Sequence, residues 1–307
     1  MIVLSEPTRL SGLALGVAVL IAAAWGFNFV VIKVGVDGMP PLLLASLRFA
    51  FSAFPALLFV QKPHVSLKLL ALYGLLLGVG EFGFLFVAIK LGAPAGLSSI
   101  VLQSQAFFTA IIAAFVQKER IRWNQILGMI IASLGLALIV WSGPQTGQGS
   151  AGLTLPLAGM LLLAALMWAG ANVSARAMPG ANALGLMVWS SLFSPLPLLG
   201  LSLAFEGSNS WVQACTHLSL PTLGSLAYLV VISTLFGYGA WNHLIIKHGA
   251  GKIAPFSLLV PVFGVSSAAL FLGERFSFAD VIAAVLVLGG LCVHVFGGRL
   301  SPSKLGD

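Results

Sequence analysis

The chain has 307 residues, of which 59% are hydrophobic and 7% are Asp, Glu, Lys or Arg. A water-soluble domain of this length cannot bury so much apolar surface, so a soluble enzyme or binding module is excluded and one integral membrane domain is predicted. The net charge of +7 does not indicate a nucleic-acid partner, because the basic residues lie between apolar runs and form no stripe with interleaved aromatic side chains.

Ten apolar segments are long enough to span a bilayer, and all are predicted to be helices because a helix satisfies its own backbone hydrogen bonds in lipid. The first is predicted to be an uncleaved span, since its apolar run continues well past the length of a signal peptide. A Gly/Gln/Ser-rich segment at 142–152 is predicted to link the two halves. The predicted spans are residues 10–34, 40–60, 68–90, 94–116 and 124–141 in the first half, and 156–176, 182–205, 221–247, 253–272 and 278–296 in the second.

One sequence pattern occurs twice. Each copy has a basic residue, an apolar segment, a Glu-Arg pair and a glycine sixteen residues after the glutamate. The positions are Lys90, Glu119, Arg120 and Gly135 in the first copy, and Lys247, Glu274, Arg275 and Gly290 in the second. Such a repeat predicts two five-helix units, residues 1–147 and 148–307. Because five is an odd number, the second unit enters the membrane from the opposite side. The predicted fold is therefore an all-α membrane protein of ten transmembrane helices in two inverted five-helix repeats.

The distribution of basic residues predicts the orientation of the spans. If the amino terminus is cytoplasmic, eleven Lys and Arg residues fall on the cytoplasmic side, three fall on the other side, and Arg48 lies inside the second span. This bias follows the positive-inside rule, so both termini are predicted to be cytoplasmic. The eleven are Arg9, Lys62, Lys68, Lys118, Arg120, Arg122, Arg176, Lys247, Lys252, Arg299 and Lys304, and the three are Lys33, Lys90 and Arg275.

The repeated pattern also carries a resemblance to a known family. After the Glu-Arg pair the first copy continues with Gln125, Gly128 and Gly135, the second with Asp280, Ala283 and Gly290, and the first and sixth spans contain Trp25-Gly26-Phe27-Asn28 and Trp168-Ala169-Gly170-Ala171-Asn172. Together these residues resemble the signature of EamA-type members of the drug/metabolite transporter superfamily, and in particular bacterial amino-acid exporters. The resemblance implies ten helices in the inner membrane, a small-molecule substrate and export of metabolites.

Glu81 is the only acidic side chain predicted to lie deep inside a span, near the bilayer centre. A carboxylate there costs on the order of 3 kcal/mol on insertion scales, so it is expected to face a cavity or to have a partner. One interpretation is a site that titrates or attracts the ammonium group of a substrate. The other is structural: an ion pair with Arg48, or a protonated glutamate bonded to a neighbour. The repeat-equivalent position is Tyr238, so the fold does not require this carboxylate twice.

Other polar and aromatic residues at membrane depth complete the predicted substrate site. Gln103 and Gln105 point to different faces of an α-helix, so one is expected to line the cavity and the other to bond a neighbouring helix. The aromatic residues either form walls for an apolar solute or pack as a structural cluster. The predicted substrate-binding residues are Trp25, Asn28, Glu81, Gln103, Gln105, Trp168, Asn172, Tyr238, Trp241 and Asn242.

Together with the resemblance, which implies export of metabolites and of amino acids in particular, these residues predict a secondary transporter that works by alternating access through a central cavity. The aromatic lining favours amino acids with apolar or aromatic side chains. The sequence has no phosphate-binding loop, so ATP is not the direct driver, and neither a cofactor nor a metal site is predicted. Export of other metabolites or of drug-like cations stays open as an alternative. A membrane-embedded enzyme would need a catalytic motif that the sequence lacks, and a wide channel would need a more polar lining. The oligomeric state stays open, a monomer included.

Overall fold

A computed structural model describes residues 10–142 and 152–297. Within these residues, nine helices are long and apolar enough to cross a membrane, and a bent pair of helices makes a tenth span. The prediction of an all-helical protein with ten spans is confirmed. Most of the predicted linker, the predicted unit boundary at 147/148 and both chain ends lie outside the described residues, as do Arg9, Arg299 and Lys304.

The ten spans are numbered in chain order. They are α1 (Gly12–Gly38), α2 (Pro41–Leu58), α3 (Leu67–Lys90), α4 (Ala95–Val116), α5 (Trp123–Ser142), α6 (Leu155–Arg176), α7 (Ala183–Phe193 with Pro195–Phe205), α8 (Leu220–His248), α9 (Gly251–Leu272) and α10 (Phe278–Phe296). A short additional helix, Ser208–Thr216, lies between α7 and α8.

The helices begin where local sequence signals place their starts. The hydroxyl of Ser11 accepts a hydrogen bond from the Ala14 backbone N–H, which caps α1. Pro41 occupies the first turn of α2, where a missing N–H costs nothing. Ser277 and Asp280 form the predicted capping box at the start of α10, each side chain accepting a bond from the other residue's backbone N–H. Local capping therefore fixes where these spans enter the bundle.

The seventh span was predicted as one continuous helix, but it is bent by 44°. The break falls at Ser194 and Pro195, because proline donates no backbone hydrogen bond and its ring clashes with the carbonyl of the preceding turn. At the break, the Ser194 hydroxyl donates a hydrogen bond to the Gly74 carbonyl of α3 at 2.9 Å. The bend thus ties α7 closely to α3.

The loops gather at two ends of the bundle. Hydrogen bonds join the helix ends and adjoining loops at each end. They run from Lys90 Nζ to Val36 O (2.5 Å) and from Leu42 N to Glu206 Oε1 (2.7 Å) at one end, and from Trp189 Nε1 to Val60 O (2.9 Å) and from Asn124 Nδ2 to His294 O (3.1 Å) at the other. The first end, which carries Lys90 and Glu206, is called the outer end and the second the inner end, after the predicted orientation. Since α1 starts at the inner end and α6 at the outer end, the two repeats are inverted, as predicted.

Both repeats depart from α-helical geometry at equivalent places. The third span of each repeat contains a π-helical segment, Leu75–Phe82 in α3 and Tyr228–Phe236 in α8. The fourth span of each contains a 3-10 segment, Leu102–Ser104 in α4 and Ala254–Leu259 in α9. Long π-helical segments are rare and occur frequently at functional sites. Because these irregular segments occur in both repeats, the part of the bundle that contains them is a candidate position for a functional site.

The glycines of the repeated pattern hold α5 against α10. A Cβ atom at Gly290 would lie 2.5 Å from the Gly128 carbonyl oxygen and 2.7 Å from the Ala132 backbone nitrogen. A Cβ atom at Gly135 would lie 2.7 Å from the Ala283 carbonyl oxygen. The two backbones therefore touch where small residues alone leave room, the arrangement typical of close helix pairs in membranes.

Gly290→Val is expected to destabilise the protein by roughly 1–3 kcal/mol, because the added side chain forces α5 and α10 apart. The measurement is the melting temperature of the purified protein in detergent. Gly289→Val is the matched control, since a Cβ atom at Gly289 meets nothing within 4 Å. Equal melting temperatures for the two variants would contradict the close packing.

Candidate functional site

A cavity of about 500 Å³ lies between the two repeats. Every span except α5 and α10 contributes to its lining within the described residues. The structure brings together nine of the ten residues predicted from the sequence: Trp25, Asn28, Glu81, Gln103, Gln105, Trp168, Asn172, Tyr238 and Trp241. Its position at the centre of an inverted repeat is where transporter folds place a substrate site.

Asn242 is the predicted residue that does not line this cavity within the described part of the chain. Its side-chain oxygen accepts a hydrogen bond from the backbone N–H of Ala183 at 3.3 Å. Ala183 is the first residue of α7, where backbone N–H groups have no partner within the helix. Asn242 therefore joins the inner halves of α7 and α8.

An aromatic cluster forms one wall of the cavity. The Trp25 ring centroid lies 5.6 Å from that of Tyr238 and 5.1 Å from that of Trp241. Trp25 Nε1 donates to the Ser233 carbonyl at 3.0 Å, which anchors the indole of α1 on the π-helical segment of α8. This wall joins one span of each repeat and is suited to an apolar group.

Gln103 and Gln105 both line the cavity, so the expectation that only one of them does so is wrong, while the expectation that one of them bonds a neighbouring helix is confirmed for Gln105. The reason is the 3-10 segment Leu102–Ser104. Residues two apart lie about 160° apart around an α-helix but about 120° apart around a 3-10 helix. Gln105 also bonds a neighbouring helix, because its side-chain oxygen accepts from Asn172 Nδ2 of α6 at 2.8 Å.

Arg48 and Glu81 are the two charged residues of the lining. They are 1% and 3% exposed, and they lie within electrostatic range of each other. In the described part of the chain, however, no nitrogen of Arg48 lies within 4.0 Å of a Glu81 oxygen. The direct ion pair considered from the sequence is therefore not formed here.

The sequence pattern did not identify Arg48 as a site residue. Its guanidinium carbon lies 3.9 Å from the centroid of Phe82, and Nη2 donates to the Thr234 hydroxyl at 3.3 Å. The available signal was its position as the one basic residue predicted inside a span. That position suggested an ion-pair partner for Glu81. The contact of Arg48 with the Phe82 ring could not be predicted, because it depends on the tertiary packing of α2 against α3.

The cavity extends towards the inner end of the bundle. Its lining includes Ala183 at the start of α7, Ile245 in the last turn of α8, and Ala254 and Ser257 near the start of α9. All four positions lie at the inner end. The cavity lining in the described residues includes no residue from the loops of the outer end.

Two carboxylates hold the outer end together. Glu274 accepts hydrogen bonds from the backbone N–H groups of Ala95 (2.6 Å) and Gly96 (3.0 Å) at the start of α4. Glu206 does the same for Leu42 (2.7 Å) and Leu43 (3.3 Å) at the start of α2. Each carboxylate satisfies unpaired donors and meets the positive end of a helix dipole. Burial raises the pKa of Glu274 above its ordinary value, although the two backbone bonds and Lys33 act against this rise.

Glu119 is the repeat-equivalent of Glu274, and it lies at the inner end. Its side chain is 55% exposed, and its Oε1 lies 3.5 Å from Arg176 Nη1. The inverted repeat thus has one such glutamate half-buried at a helix start and the other in a half-exposed ion pair. This difference is the clearest departure from symmetry between the two ends.

Comparisons with known proteins agree with this architecture. The sequence model of the EamA-like transporter family matches residues 12–141 and again residues 156–296. A Salmonella typhimurium protein named "Probable amino-acid metabolite efflux pump" is 44% identical over 289 residues, which cover 92% of this chain and 95% of that protein. An Escherichia coli K12 protein of the same name is 42% identical over 286 residues, which cover 92% and 94%. A solved crystal structure shares the fold, with a TM-score of 0.60 at 20% identity over 94% of this chain and 99% of the other. The chain therefore belongs to the EamA-like transporter family.

Proposed function

We propose that this protein is a secondary transporter that exports amino acids and related metabolites, with the central cavity as its substrate site. The observation that carries the proposal is a cavity at the centre of an inverted-repeat transporter fold, whose lining includes two ionisable residues, Arg48 and Glu81. Two relatives that share more than two fifths of their residues with this chain are named as amino-acid metabolite efflux pumps. In such a site the side chains that bind the solute come from both repeats.

Glu81 is the residue that attracts the ammonium group of the substrate in this proposal. Its side chain is 3% exposed and lines the cavity, and its Oε2 has no hydrogen-bond partner within the described residues. Trp25, Tyr238 and Trp241 provide an apolar wall beside it. This combination favours apolar and aromatic amino acids over polar ones. A cavity of about 500 Å³ is within the range that binds small molecules.

We propose that the two helix-end glutamates, Glu274 and Glu119, take part in alternating access. With Glu274 bound to the start of α4, the outer end is closed while the cavity reaches the inner end. Inverted symmetry allows the converse state, in which Glu119 leaves Arg176 and binds the start of α9. The two glutamates then take turns as helix caps, one at each end of the bundle. The present conformation is the one that loads substrate at the inner end.

The inner end faces the cytoplasm in this proposal, as the excess of basic residues there indicates. Described basic residues at this end are Lys62, Lys68, Lys118, Arg120, Arg122, Arg176, Lys247 and Lys252. A cavity open to the cytoplasm is the conformation from which an exporter collects its substrate. We propose transport and not catalysis as the activity of the chain, because the family to which it belongs is one of transporters.

Counterflow of labelled amino acids in proteoliposomes tests the proposed function, with a panel that includes L-phenylalanine and L-leucine. The wild-type protein is expected to show saturable counter-exchange. Glu81→Gln is expected to lower the initial rate by about tenfold, because one charge-assisted hydrogen bond to the ammonium group is lost. Asp37→Asn is the matched control: Asp37 is an exposed carboxylate bonded to Lys33 at the outer end and does not line the cavity. Full activity of folded Glu81→Gln protein would remove Glu81 from the site.

The native cysteines test the orientation. Cys215 is exposed on the helix Ser208–Thr216, which precedes α8 at the outer end. A membrane-impermeant maleimide is expected to label the wild-type protein in intact cells, and labelling is expected to disappear in Cys215→Ser, which retains Cys292. If the wild type reacts only after the cells are made permeable, the proposed orientation is reversed.

A further inference from the structure

We infer that Arg48, Glu81 and Asn28 together form a receptor for the zwitterionic head of an α-amino acid. Arg48 binds the carboxylate, while Glu81 and Asn28 bind the ammonium group. The inference rests on the proposed function and specifies which groups a substrate must have. It separates amino acids from simple amines and drug-like cations, which a carboxylate at position 81 alone does not.

The first observation is where the unsatisfied polar atoms lie. Within the described residues, the buried side-chain atoms without a hydrogen-bond partner are Asn28 Oδ1, Arg48 Nε, Arg48 Nη1, Ser52 Oγ and Glu81 Oε2. All except Ser52 Oγ belong to residues that line the central cavity. Native proteins pair nearly all of their buried polar atoms, so a concentration of unpaired ones in one cavity points to a ligand that pairs them.

Arg48 is a lining residue whose guanidinium is held in a fixed position. Its guanidinium lies over the Phe82 ring at 3.9 Å and near the rings of Phe49 (5.7 Å) and Phe86 (6.0 Å). Nη2 donates to Thr234 Oγ1, whose own hydroxyl donates to the Leu229 carbonyl. The nitrogens Nε and Nη1, which carry most of the guanidinium's N–H groups, stay without a partner. A planar cation with several parallel donors is the side chain best suited to a carboxylate.

Glu81 and Asn28 present acceptors. Glu81 Oε2 and Asn28 Oδ1 are both buried, both unpaired and both part of the same lining, although they come from α3 and α1. An ammonium group has several N–H donors and no acceptor, so it can bond both oxygens at once. Arg48 thus supplies donors, and Glu81 and Asn28 supply acceptors, which is the chemistry that complements the carboxylate and the ammonium group of an amino-acid head.

The separation of the two charges distinguishes a receptor from a structural ion pair. Opposite charges buried to this extent are expected to bond each other, because burial without a partner is costly. Yet no Arg48 nitrogen lies within 4.0 Å of Glu81 in the described structure. The aromatic platform and the Thr234 bond hold the guanidinium away from the carboxylate. A zwitterion inserted between them supplies a partner to each.

The remaining lining accepts the substrate side chain. Trp25, Tyr238 and Trp241 pack together on the side of the cavity that continues to the inner end. An amino acid with its head on Arg48 and Glu81 then directs its side chain at this wall. Charge and hydrogen bonds bind the head of the amino acid, and apolar contacts bind its side chain. The site is therefore expected to discriminate strongly against changes in the head and only weakly between apolar side chains.

Competition in proteoliposome counterflow tests the inference. Labelled L-phenylalanine and L-leucine are the probes, and the competitors are the unlabelled amino acid, its decarboxylated amine and its N-acetyl derivative. For L-phenylalanine these analogues are phenethylamine and N-acetyl-L-phenylalanine. In the wild type both analogues are expected to compete at least about tenfold more weakly than the amino acid, because each leaves buried polar groups unpaired.

Two variants assign the ends of the zwitterion. In Arg48→Gln the amine is expected to compete as well as the amino acid, while the N-acetyl derivative is still rejected. In Glu81→Gln the N-acetyl derivative is expected to compete more strongly relative to the amino acid, while the amine is still rejected.

Ser52→Ala is the matched control, since Ser52 is buried and unpaired on the same helix as Arg48 but does not line the cavity. This variant is expected to reject both the amine and the N-acetyl derivative, as the wild type does. Arg48→Lys, which retains the charge, is the second variant should Arg48→Gln fail to fold, and it is expected to weaken the preference for a carboxylate.

The outcomes separate the inference from the function. If amino acids are exchanged and both analogues compete equally well with the wild type, the receptor is overturned while amino-acid transport stands. If Arg48→Gln and Glu81→Gln lower transport without changing either discrimination, the two residues are structural and the inference fails. If the wild type exchanges no amino acid of the panel, the proposed function itself fails, and the inference fails with it.

Discussion

The arrangement of the spans around the cavity is constrained by two ionisable side chains, Arg48 and Glu81, which are buried deep in an apolar bundle with no direct ion pair between them. A charge at this depth is tolerated only where it faces a cavity or a partner, so the spans that carry them must turn these side chains inwards. The guanidinium rests on Phe82 and bonds Thr234, which joins α2 and α3 of the first repeat to α8 of the second. The cavity is therefore bounded by both repeats, while α5 and α10, joined at their glycines, stand outside it.

The inverted repeat explains both the likeness of the two halves and their differences. Equivalent spans share π-helical and 3-10 segments, so the local geometry around the cavity is duplicated. The chemistry is not duplicated: Glu81 corresponds to Tyr238, and Glu274 is bonded to backbone N–H groups at a helix start while Glu119 is half exposed in an ion pair. The first difference gives the cavity one carboxylate, which a single ammonium group can match. The second ties the start of α4 at the outer end while the cavity reaches the inner end, which agrees with the alternating access that we propose.

Hydrophobic spacing, basic-residue counts and the repeated pattern were enough to predict ten spans, their inversion and nine residues of the cavity lining, because long apolar segments and duplicated motifs are local features of a sequence. Other features depend on tertiary contacts. Pro195 interrupts α7, and the hydrogen bond from the Ser194 hydroxyl to the Gly74 carbonyl of α3 stabilises the bend. Gln103 and Gln105 share one surface because a 3-10 segment changes the angle between them. The guanidinium of Arg48 is positioned in the cavity lining by its contact with the Phe82 ring. Asn242 does not line the cavity, and its side chain accepts a hydrogen bond from the first residue of α7. None of these contacts is visible in helical periodicity alone.

We propose that one cavity is presented to each side of the membrane in turn. The most direct measurement uses Ser233→Cys, a buried position of the cavity near the middle of α8, in a protein whose Cys215 and Cys292 have been replaced by serine. Membrane-impermeant thiol reagents are applied from one face of oriented vesicles and then from the other. The account predicts labelling from both faces, protection by a transported amino acid, and faster labelling from the outer face when Glu274→Gln weakens the cap on α4. Labelling from one face alone under all conditions would contradict it.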